Sequence, residues 1–299
     1  MALSVLAFPA VFRAAETEDK SASPYKHGLE RTFGRYSHSP LDWKKLRDGL
    51  RFDRITIFSD GRAVDSAAVV LAEPGSNKFR VYHDPQGGHI IEEWRRITGC
   101  DVIFNSSYYW YDSVRPGGGI RSVEPATRII IDGKKKGAWI TSKPCGLLLS
   151  EPTNEKLPYS VLVDLTTESF DASRYLQGVQ SWPMLVNREG RICVGPSRWY
   201  ANRTVVCSDR EGNIIILTTE GGFFSLYEMG RFLLASELNV DRAMNMDGGY
   251  EADLAVKCGP VDYVTYGQWE TQGKVDISLP GIKIKLPAVV GIGRRPISS

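Results

Sequence analysis

The sequence predicts a single α+β domain built from strand-rich mixed sheets with two main helices. From residue 52 onward, short apolar runs alternate with turns rich in glycine, proline, asparagine and aspartate. Two longer segments instead repeat apolar residues at helical spacing. No Ser/Gly-rich linker or block of charge divides the chain, and 42% hydrophobic with 24% charged residues is typical of a globular protein.

Strands are expected where a short apolar run is bounded by turn residues. They are expected at 54–58, 67–72, 78–82, 101–104, 128–131, 137–141, 146–150, 159–164, 184–187, 191–194, 204–208, 213–219, 242–246, 253–257 and 288–292. The run from Asn213 to Thr219 is apolar on both faces at its centre. It is therefore expected to be a central strand that is covered on both sides.

The two main helices are expected near 88–98 and 225–237, with shorter helices near 41–48 and 171–177. Ser225 and Glu228 form the S-x-x-E pattern of a capping box, which predicts where the second helix begins. Gly99 follows the first helical segment at a position where helices commonly end.

The N-terminal segment has two interpretations. Residues 1–26 are expected to form a leader, and 27–299 the folded domain. Met1 to Phe12 are mostly apolar and would suit a signal-peptide core cut near Ala14 or Ala15, which favours export to the periplasm or the exterior. No Lys or Arg precedes this run, so a buried N-terminal segment remains the alternative.

Composition excludes several classes of function. The net charge is +2, with 37 basic and 35 acidic residues, so nucleic acid is not an expected partner. No apolar stretch is long enough for a transmembrane helix, which needs about 18 residues or more. The five cysteines show no C-x-x-C spacing, which argues against zinc. The run of three lysines at 134–136 is expected to be a solvated hairpin.

Asp247 and two glycines lie between two short predicted strands. Because glycine has no side chain, a ligand can approach this turn closely, and the N–H groups of Gly248 and Gly249 can point at an anion or a sugar oxygen. An ordinary Asp-Gly hairpin turn is the alternative.

A second corner has the same order of helix, strand and polar turn. The helix before Gly99 is followed by a short apolar run that ends in Asn105-Ser106-Ser107-Tyr108-Tyr109. The pattern suggests two similar corners, each presenting a polar residue. For Asn105 the alternative is an ordinary turn residue.

An arginine opens the predicted strand at 204–208. Arg203 beside the hydroxyl of Thr204 suits a phosphate or a carboxylate, because a guanidinium can bind two oxygens at once. A surface arginine in a structural ion pair is the alternative.

Taken in order, these segments resemble the phosphodiester glycosidase family. The matching segments are Asn105–Tyr109, Trp182–Val186 with Gly190, Arg203–Thr204, Asp209–Gly212, Ile214–Leu217, Leu226–Leu234 and Asn245–Glu251. The resemblance covers roughly residues 95–257. It implies a hydrolase that cleaves the glycosidic bond of a sugar-1-phosphodiester.

The sequence also departs from the family pattern. Ser106 and Ser107 replace glycines, Trp182 replaces a glycine, and Tyr250-Glu251 replaces Gly-Ser. Larger side chains at these turns imply a narrower or differently shaped pocket. They leave open a non-catalytic carbohydrate or phospho-sugar binding module as the alternative function.

The resemblance and the chemistry together imply specific roles. Asp247 is expected to act as base or nucleophile and Arg203 to bind the phosphate, with Glu251 as a further catalytic carboxylate. Asp253 is available as well, and on a strand its side chain would point to the same face as that of Glu251. The expected substrate-binding residues are Asn105, Ser106, Thr204, Gly248 and Gly249.

The expected partner is a small or polymeric sugar-phosphate. No cofactor is required, although Asp247, Glu251 and Asp253 offer oxygen ligands that Ca²⁺ or Mg²⁺ would accept. Their spacing fits no defined metal-binding loop.

The sequence also supports a geometric expectation. Asn105, Arg203 and Asp247 should meet at one edge of a sheet, in a concave pocket where Arg203 and Asp247 do not form a tight ion pair. The aromatic residues available to stack on sugar rings, or to pack at the rim, are Tyr108, Tyr109, Trp110, Tyr111, Trp182, Trp199, Tyr200 and Tyr250.

Overall fold

The computed structural model describes residues 34–115, 119–272 and 275–296. The predicted leader at 1–26 and the signal-peptide interpretation of Met1 to Phe12 lie outside these residues. The described part of the chain forms a strand-rich α+β fold with two α-helices, as predicted.

The strands of the first half of the chain are β1 (Tyr36–His38), β2 (Lys44–Arg47), β3 (Leu50–Ser59), β4 (Arg62–Ala72), β5 (Asn77–His83), β6 (Val102–Asn105), β7 (Tyr109–Arg115), β8 (Gly119–Pro125), β9 (Ile129–Ile131), β10 (Lys134–Lys136) and β11 (Gly146–Pro152). Those of the second half are β12 (Ser160–Asp164), β13 (Tyr175–Ser181), β14 (Met184–Val186), β15 (Thr204–Asp209), β16 (Ile214–Thr219), β17 (Val240–Asn245), β18 (Leu254–Cys258), β19 (Val261–Thr265), β20 (Trp269–Gln272), β21 (Val275–Ser278) and β22 (Ala288–Arg294). The helices are α1 (Ile91–Thr98) and α2 (Leu226–Ala235).

An eight-stranded sheet runs in the order β1-β3-β4-β16-β15-β17-β14, with β2 paired to β3. β16 lies between β4 and β15, and all six of its residues are buried. The predicted central strand is therefore confirmed. Its continuous apolar sequence follows from burial on both faces.

Two five-stranded sheets complete the main body, in the orders β10-β9-β13-β11-β12 and β19-β18-β6-β22-β5. One apolar core joins all three sheets, and Val206, Leu148 and Phe104 each contribute to it from a different sheet. The short β10 strand is exposed and closes a hairpin with β9, so the lysine run at 134–136 is a solvated hairpin as predicted.

Both main helices begin or end on the predicted residues. The Ser225 side chain accepts the Glu228 N–H and the Glu228 side chain accepts the Ser225 N–H, which completes the capping box. Gly99 adopts a left-handed conformation with φ of 66° and ends α1. Neither helix in the described part of the chain is long and apolar enough to cross a membrane.

Four predicted elements are wrong. The helix expected at 41–48 is the strand β2, because Leu46 and Arg47 turn into the core while the two lysines stay in solvent. The helix expected at 171–177 is a single 3-10 turn that leads into β13. The strands expected at 137–141 and 191–194 are loops, although Ile192 forms one isolated bridge to Val186.

Candidate active site

The Asp-Gly-Gly turn lies between two sheets. β17 ends two residues before Asp247, and the following main chain is tied to the opposite sheet. Asn105 Nδ2, at the end of β6, donates to the Asp247 carbonyl oxygen at 2.8 Å. The Asp247 N–H in turn donates to the Ser106 carbonyl oxygen at 3.3 Å. The two predicted corners therefore meet directly, although their strands belong to different sheets and not to one sheet edge as expected.

The turn needs its two glycines because neighbouring groups approach its main chain closely. A Cβ on Gly248 would lie 2.9 Å from the Asn202 carbonyl oxygen and 3.4 Å from Nη1 of Arg203. A Cβ on Gly249, whose φ is 70°, would lie 2.9 Å from Oε2 of Glu270. The glycines thus let a guanidinium and a carboxylate pack against the turn.

The N–H groups of these glycines already have acceptors. The Gly248 N–H donates to Oδ1 of Asp247 at 3.0 Å, and the Gly249 N–H donates to the Asn202 carbonyl oxygen at 3.0 Å. The expectation that they point at a ligand is therefore not met. They hold the turn and the Asp247 carboxylate in place.

Arg203 is a buried cation held by main-chain carbonyls. Its Nε donates to the Phe224 carbonyl oxygen at 3.0 Å and its Nη2 to the Trp199 carbonyl oxygen at 2.6 Å. Burial lowers the pKa of Arg203 to about 10, so it stays protonated at neutral pH. Within the described residues no ion pair joins Arg203 to Asp247, and Nη1 is the nitrogen nearest Gly248.

Asp247 and Glu251 form a coupled pair of carboxyl groups. Burial and the nearby charge of Glu251 raise the pKa of Asp247 well above its usual value. Burial and the charge of Glu270 raise the pKa of Glu251 to about 7. Tyr109 donates to Oε1 of Glu251 at 3.5 Å. Glu251 therefore holds a proton up to a pH of about 7.

Glu270 is the site residue that the sequence analysis missed. It lies on β20, which is anchored by Asn202: Oδ1 of Asn202 accepts the N–H groups of Gln268 at 2.9 Å and Trp269 at 2.8 Å. The charge of Glu270 acts on Asp247, Glu251 and Arg203. No glycine turn or local spacing marks Glu270 in the sequence.

Aromatic side chains form a wall beside the turn. The Tyr108 hydroxyl donates to the Trp182 carbonyl oxygen and accepts from Nδ2 of Asn245, both at 2.9 Å. The rings of Tyr108 and Trp182 lie 4.2 Å apart between centroids. Burial and the charge of Asp247 raise the pKa of Tyr108. Of the other predicted aromatics, Trp110 and Trp199 are each 51% exposed.

Not every predicted site residue reaches this cluster with its side chain. Thr204 is fully buried inside the sheet, with Oγ1 at 3.3 Å from Oγ1 of Thr218. Ser106 is 3% exposed and contributes its carbonyl oxygen to the turn. Asn105 is 1% exposed and bonds the Asp247 main chain.

The predicted relationship between Glu251 and Asp253 is also different. Glu251 ends a 3-10 turn, Gly249–Glu251, and Asp253 precedes β18, so the two do not alternate along one strand. Asp253 is buried, and its Oδ1 accepts the Gly267 N–H at 3.0 Å. Among the residues that the structure describes, no three His, Cys, Asp or Glu side chains are arranged to hold a metal ion.

Several solved structures resemble this fold, and two of them illustrate the likeness. The catalytic domain of zebrafish N-acetylglucosamine-1-phosphodiester alpha-N-acetylglucosaminidase, auto-inhibited by pro-peptide, matches with a TM-score of 0.56 and 15% identity, over 87% of this chain and 89% of that one. A hypothetical protein from Synechocystis matches with a TM-score of 0.52 and 12% identity, over 86% of this chain and 64% of that one. At these identities the likeness concerns the fold. No curated protein matches the sequence significantly.

The sequence was also compared with models of known protein families. The model of the phosphodiester glycosidase domain matches residues 114–291, which is more than half of the chain. The matched range includes Arg203 and the Asp247 turn, and it begins after the Asn105 turn. The chain therefore belongs to the phosphodiester glycosidase family.

Proposed function

We propose that this protein is a hydrolase that cleaves the glycosidic bond of a sugar-1-phosphodiester. The observation that carries the proposal is the convergence of one buried cation and three carboxyl groups on the Asp-Gly-Gly turn. Arg203 packs against Gly248, Glu270 packs against Gly249, and Asp247 and Glu251 lie on the turn itself or at its end. Membership in the family supports the same reaction class.

Arg203 is the proposed phosphate-binding residue. Two of its nitrogens are fixed by carbonyl oxygens, which holds the guanidinium rigidly and leaves Nη1 toward the turn. A buried guanidinium that is fixed in advance stabilises developing negative charge strongly, because little reorganisation is needed during the reaction. Its charge would stabilise the phosphate as the C1–O bond breaks and the electron pair passes to the phosphate oxygen.

Asp247 is the proposed base or nucleophile. As a base it would take a proton from water while the water oxygen bonds to the anomeric carbon. As a nucleophile it would bond to that carbon first, and water would then release the sugar. The phosphate monoester is a good leaving group, so strong protonation of the departing oxygen is not required. Glu251, whose pKa is raised to about 7, would exchange a proton with the site.

The remaining predicted residues act mainly by position in this proposal. The side chain of Asn105 and the carbonyl of Ser106 fix the Asp247 main chain. Gly248 and Gly249 give room for the neighbouring charges. The proposed substrate contacts are therefore concentrated on Arg203 and the three carboxyl groups.

A non-catalytic sugar-phosphate binding module is the second candidate. It is favoured by the engagement of both glycine N–H groups within the protein, which removes two donors that could stabilise charge in a reaction. A panel of sugar-1-phosphodiesters separates the two functions. The hydrolase proposal expects free sugar and phosphate monoester in equal amounts. Calorimetric binding with no sugar released over long incubation would reject hydrolysis and support the module.

A further inference from the structure

The loop that carries Trp139 borders a groove on the protein. Two adjacent cavities, of about 480 and 230 Å³, share Trp139 and Phe170 in their linings. The larger is bordered by Lys143, and the smaller by Arg128 and Lys135. The larger volume lies within the range of about 300–1,000 Å³ that is usual for ligand pockets. We call these two cavities together the Trp139 groove.

The groove is connected to the candidate site by the contact of Lys143 with Trp182. Lys143 Nζ lies 4.6 Å from the centroid of the Trp182 ring. That ring packs against Tyr108, on which the charge of Asp247 acts. The groove edge at Lys143 is therefore linked to the Asp-Gly-Gly turn through two aromatic side chains, Trp182 and Tyr108.

The loop that carries Trp139 is fixed in place. The buried side chain of Gln180 donates to the Ile140 carbonyl oxygen at 2.6 Å and accepts the Ile140 N–H at 3.0 Å. Trp139 nevertheless remains 40% exposed. A large aromatic side chain held open to solvent on an anchored loop is a suitable platform for a sugar ring.

The free charge of the groove is positive. Within the described part of the chain, Arg128, Lys135 and Lys143 form no ion pair. The nearby acid Glu168 is already paired with Arg242 at 2.5 Å. The other acid, Asp171, is exposed and accepts the Ser173 N–H at the start of a 3-10 turn. Cations that form no ion pair, interleaved with aromatic rings, fit an anionic glycan.

We propose that the Trp139 groove binds the part of the substrate beyond the scissile bond, namely a chain of sugars joined by phosphodiesters. This inference rests on the proposed function, and it specifies a polymeric substrate over a small one. The sugar rings pack on Trp139 and Phe170, and the phosphates lie near Lys135, Arg128 and Lys143.

Binding by an Asp247→Asn protein tests the proposal, because the oligomer is then not cut. The probes are oligosaccharides with one and with four sugar-1-phosphodiester repeats, measured by calorimetry. The four-repeat probe should bind about tenfold more tightly than the one-repeat probe. This gain is what one weak ion pair and one aromatic contact together are expected to contribute. Lys135→Glu and Trp139→Ala, added to the same protein, should each remove most of this gain.

Lys134→Glu is the matched control. Lys134 is the neighbour of Lys135 on β10, is equally exposed, and does not line the groove. It should leave the gain with length unchanged, and the melting temperatures of all variants should agree. Equal affinity for the two probes, or a gain that survives both groove substitutions, would overturn the inference. An equal gain with a neutral oligosaccharide of the same length would also overturn it.

Wild-type hydrolysis of the one-repeat probe separates this inference from the proposed function. Sugar release without any gain in affinity with length leaves the hydrolase standing and rejects the groove. Gain in affinity with length but no sugar release from either probe leaves the groove standing and rejects the hydrolase. Lys134→Glu in the wild-type background should not change the rate on the one-repeat probe.

Discussion

The side chain of Asn105 donates to the main-chain carbonyl of Asp247 at 2.8 Å, across 142 positions of sequence. This bond joins a strand of one five-stranded sheet to the turn that leaves the eight-stranded sheet. The carboxyl group of Asp247 is thereby positioned by a residue that is itself 1% exposed. Through its Nδ2 group, the buried Asn105 fixes the main chain of the turn that carries Asp247.

Asn105→Ala should therefore lower kcat about 10- to 100-fold while changing KM less than about twofold, since small displacements of a reacting group are costly. Steady-state kinetics on a sugar-1-phosphodiester measures both constants. Asn213→Ala, at the β15–β16 turn, is the control and should change neither. A large rise in KM at constant kcat would instead mean that Asn105 binds substrate directly.

Arg203→Lys should reduce kcat/KM for the phosphodiester about 10²- to 10³-fold, because the single nitrogen of lysine cannot span the two carbonyls and the turn as the planar guanidinium does. The comparison substrate is a neutral glycoside of the same sugar, on which the loss should be much smaller. Arg231→Lys, a half-buried arginine near Tyr36, serves as control. Equal losses on both substrates would assign Arg203 a purely structural role.

The pH dependence should report the coupled carboxyl groups. Glu251 has a pKa of about 7, so above that pH its negative charge repels an anionic diester and kcat/KM should fall. Glu251→Gln removes this charge, which should move the alkaline limb of the kcat/KM profile to higher pH. The same change removes a charge that raises the pKa of Asp247, so the acid limb of the profile should move to lower pH. A Glu251→Gln profile that superimposes on the wild-type profile would contradict this assignment.

Asp253 should make the fold less stable as pH rises. Burial raises its pKa from 3.8 to about 8, so the folded state binds this proton more tightly than the unfolded state. The stabilisation is complete below pH about 4 and is lost as the pH rises toward 8. Asp253→Asn keeps the neutral form at every pH. Its free energy of unfolding relative to wild type should increase steadily across this range, by about 1 kcal/mol or more.

Urea unfolding at pH 4, 6 and 8 measures this difference. Asp262→Asn is the control, because Asp262 is exposed and its pKa is lowered, first by its hydrogen bond with Lys257. A difference between Asp253→Asn and wild type that stays constant with pH would show that Asp253 does not titrate as proposed.

The sequence predicted those parts of the fold that depend on local chemistry. The capping box of Ser225 and Glu228 and the left-handed Gly99 are set by neighbouring residues. The helices expected at 41–48 and 171–177 failed because tertiary pairing decided those segments. β2 pairs with β3, and β13 lies between β9 and β11. Local propensity is a weak guide where such pairing is available.

In the candidate site, too, the residues set by local chemistry could be predicted and those set by distant contacts could not. Asp247 and its glycines were recognisable because a tight turn leaves a pattern in adjacent residues. Glu270 was not recognisable in the sequence. Its place in the site depends on Asn202, which accepts the N–H groups of Gln268 and Trp269 where β20 begins. Those contacts join residues more than sixty positions apart, and no spacing in the sequence encodes them.

The most direct test of the account is sugar release from a sugar-1-phosphodiester panel by the wild-type and Asp247→Asn proteins, with Asp262→Asn as control. We expect the wild type and the control to release equal amounts of sugar and phosphate monoester. Asp247→Asn should be slower by about 10³-fold or more with a nearly unchanged melting temperature. An Asp247→Asn protein that retains full activity on the panel would contradict the proposed role of Asp247.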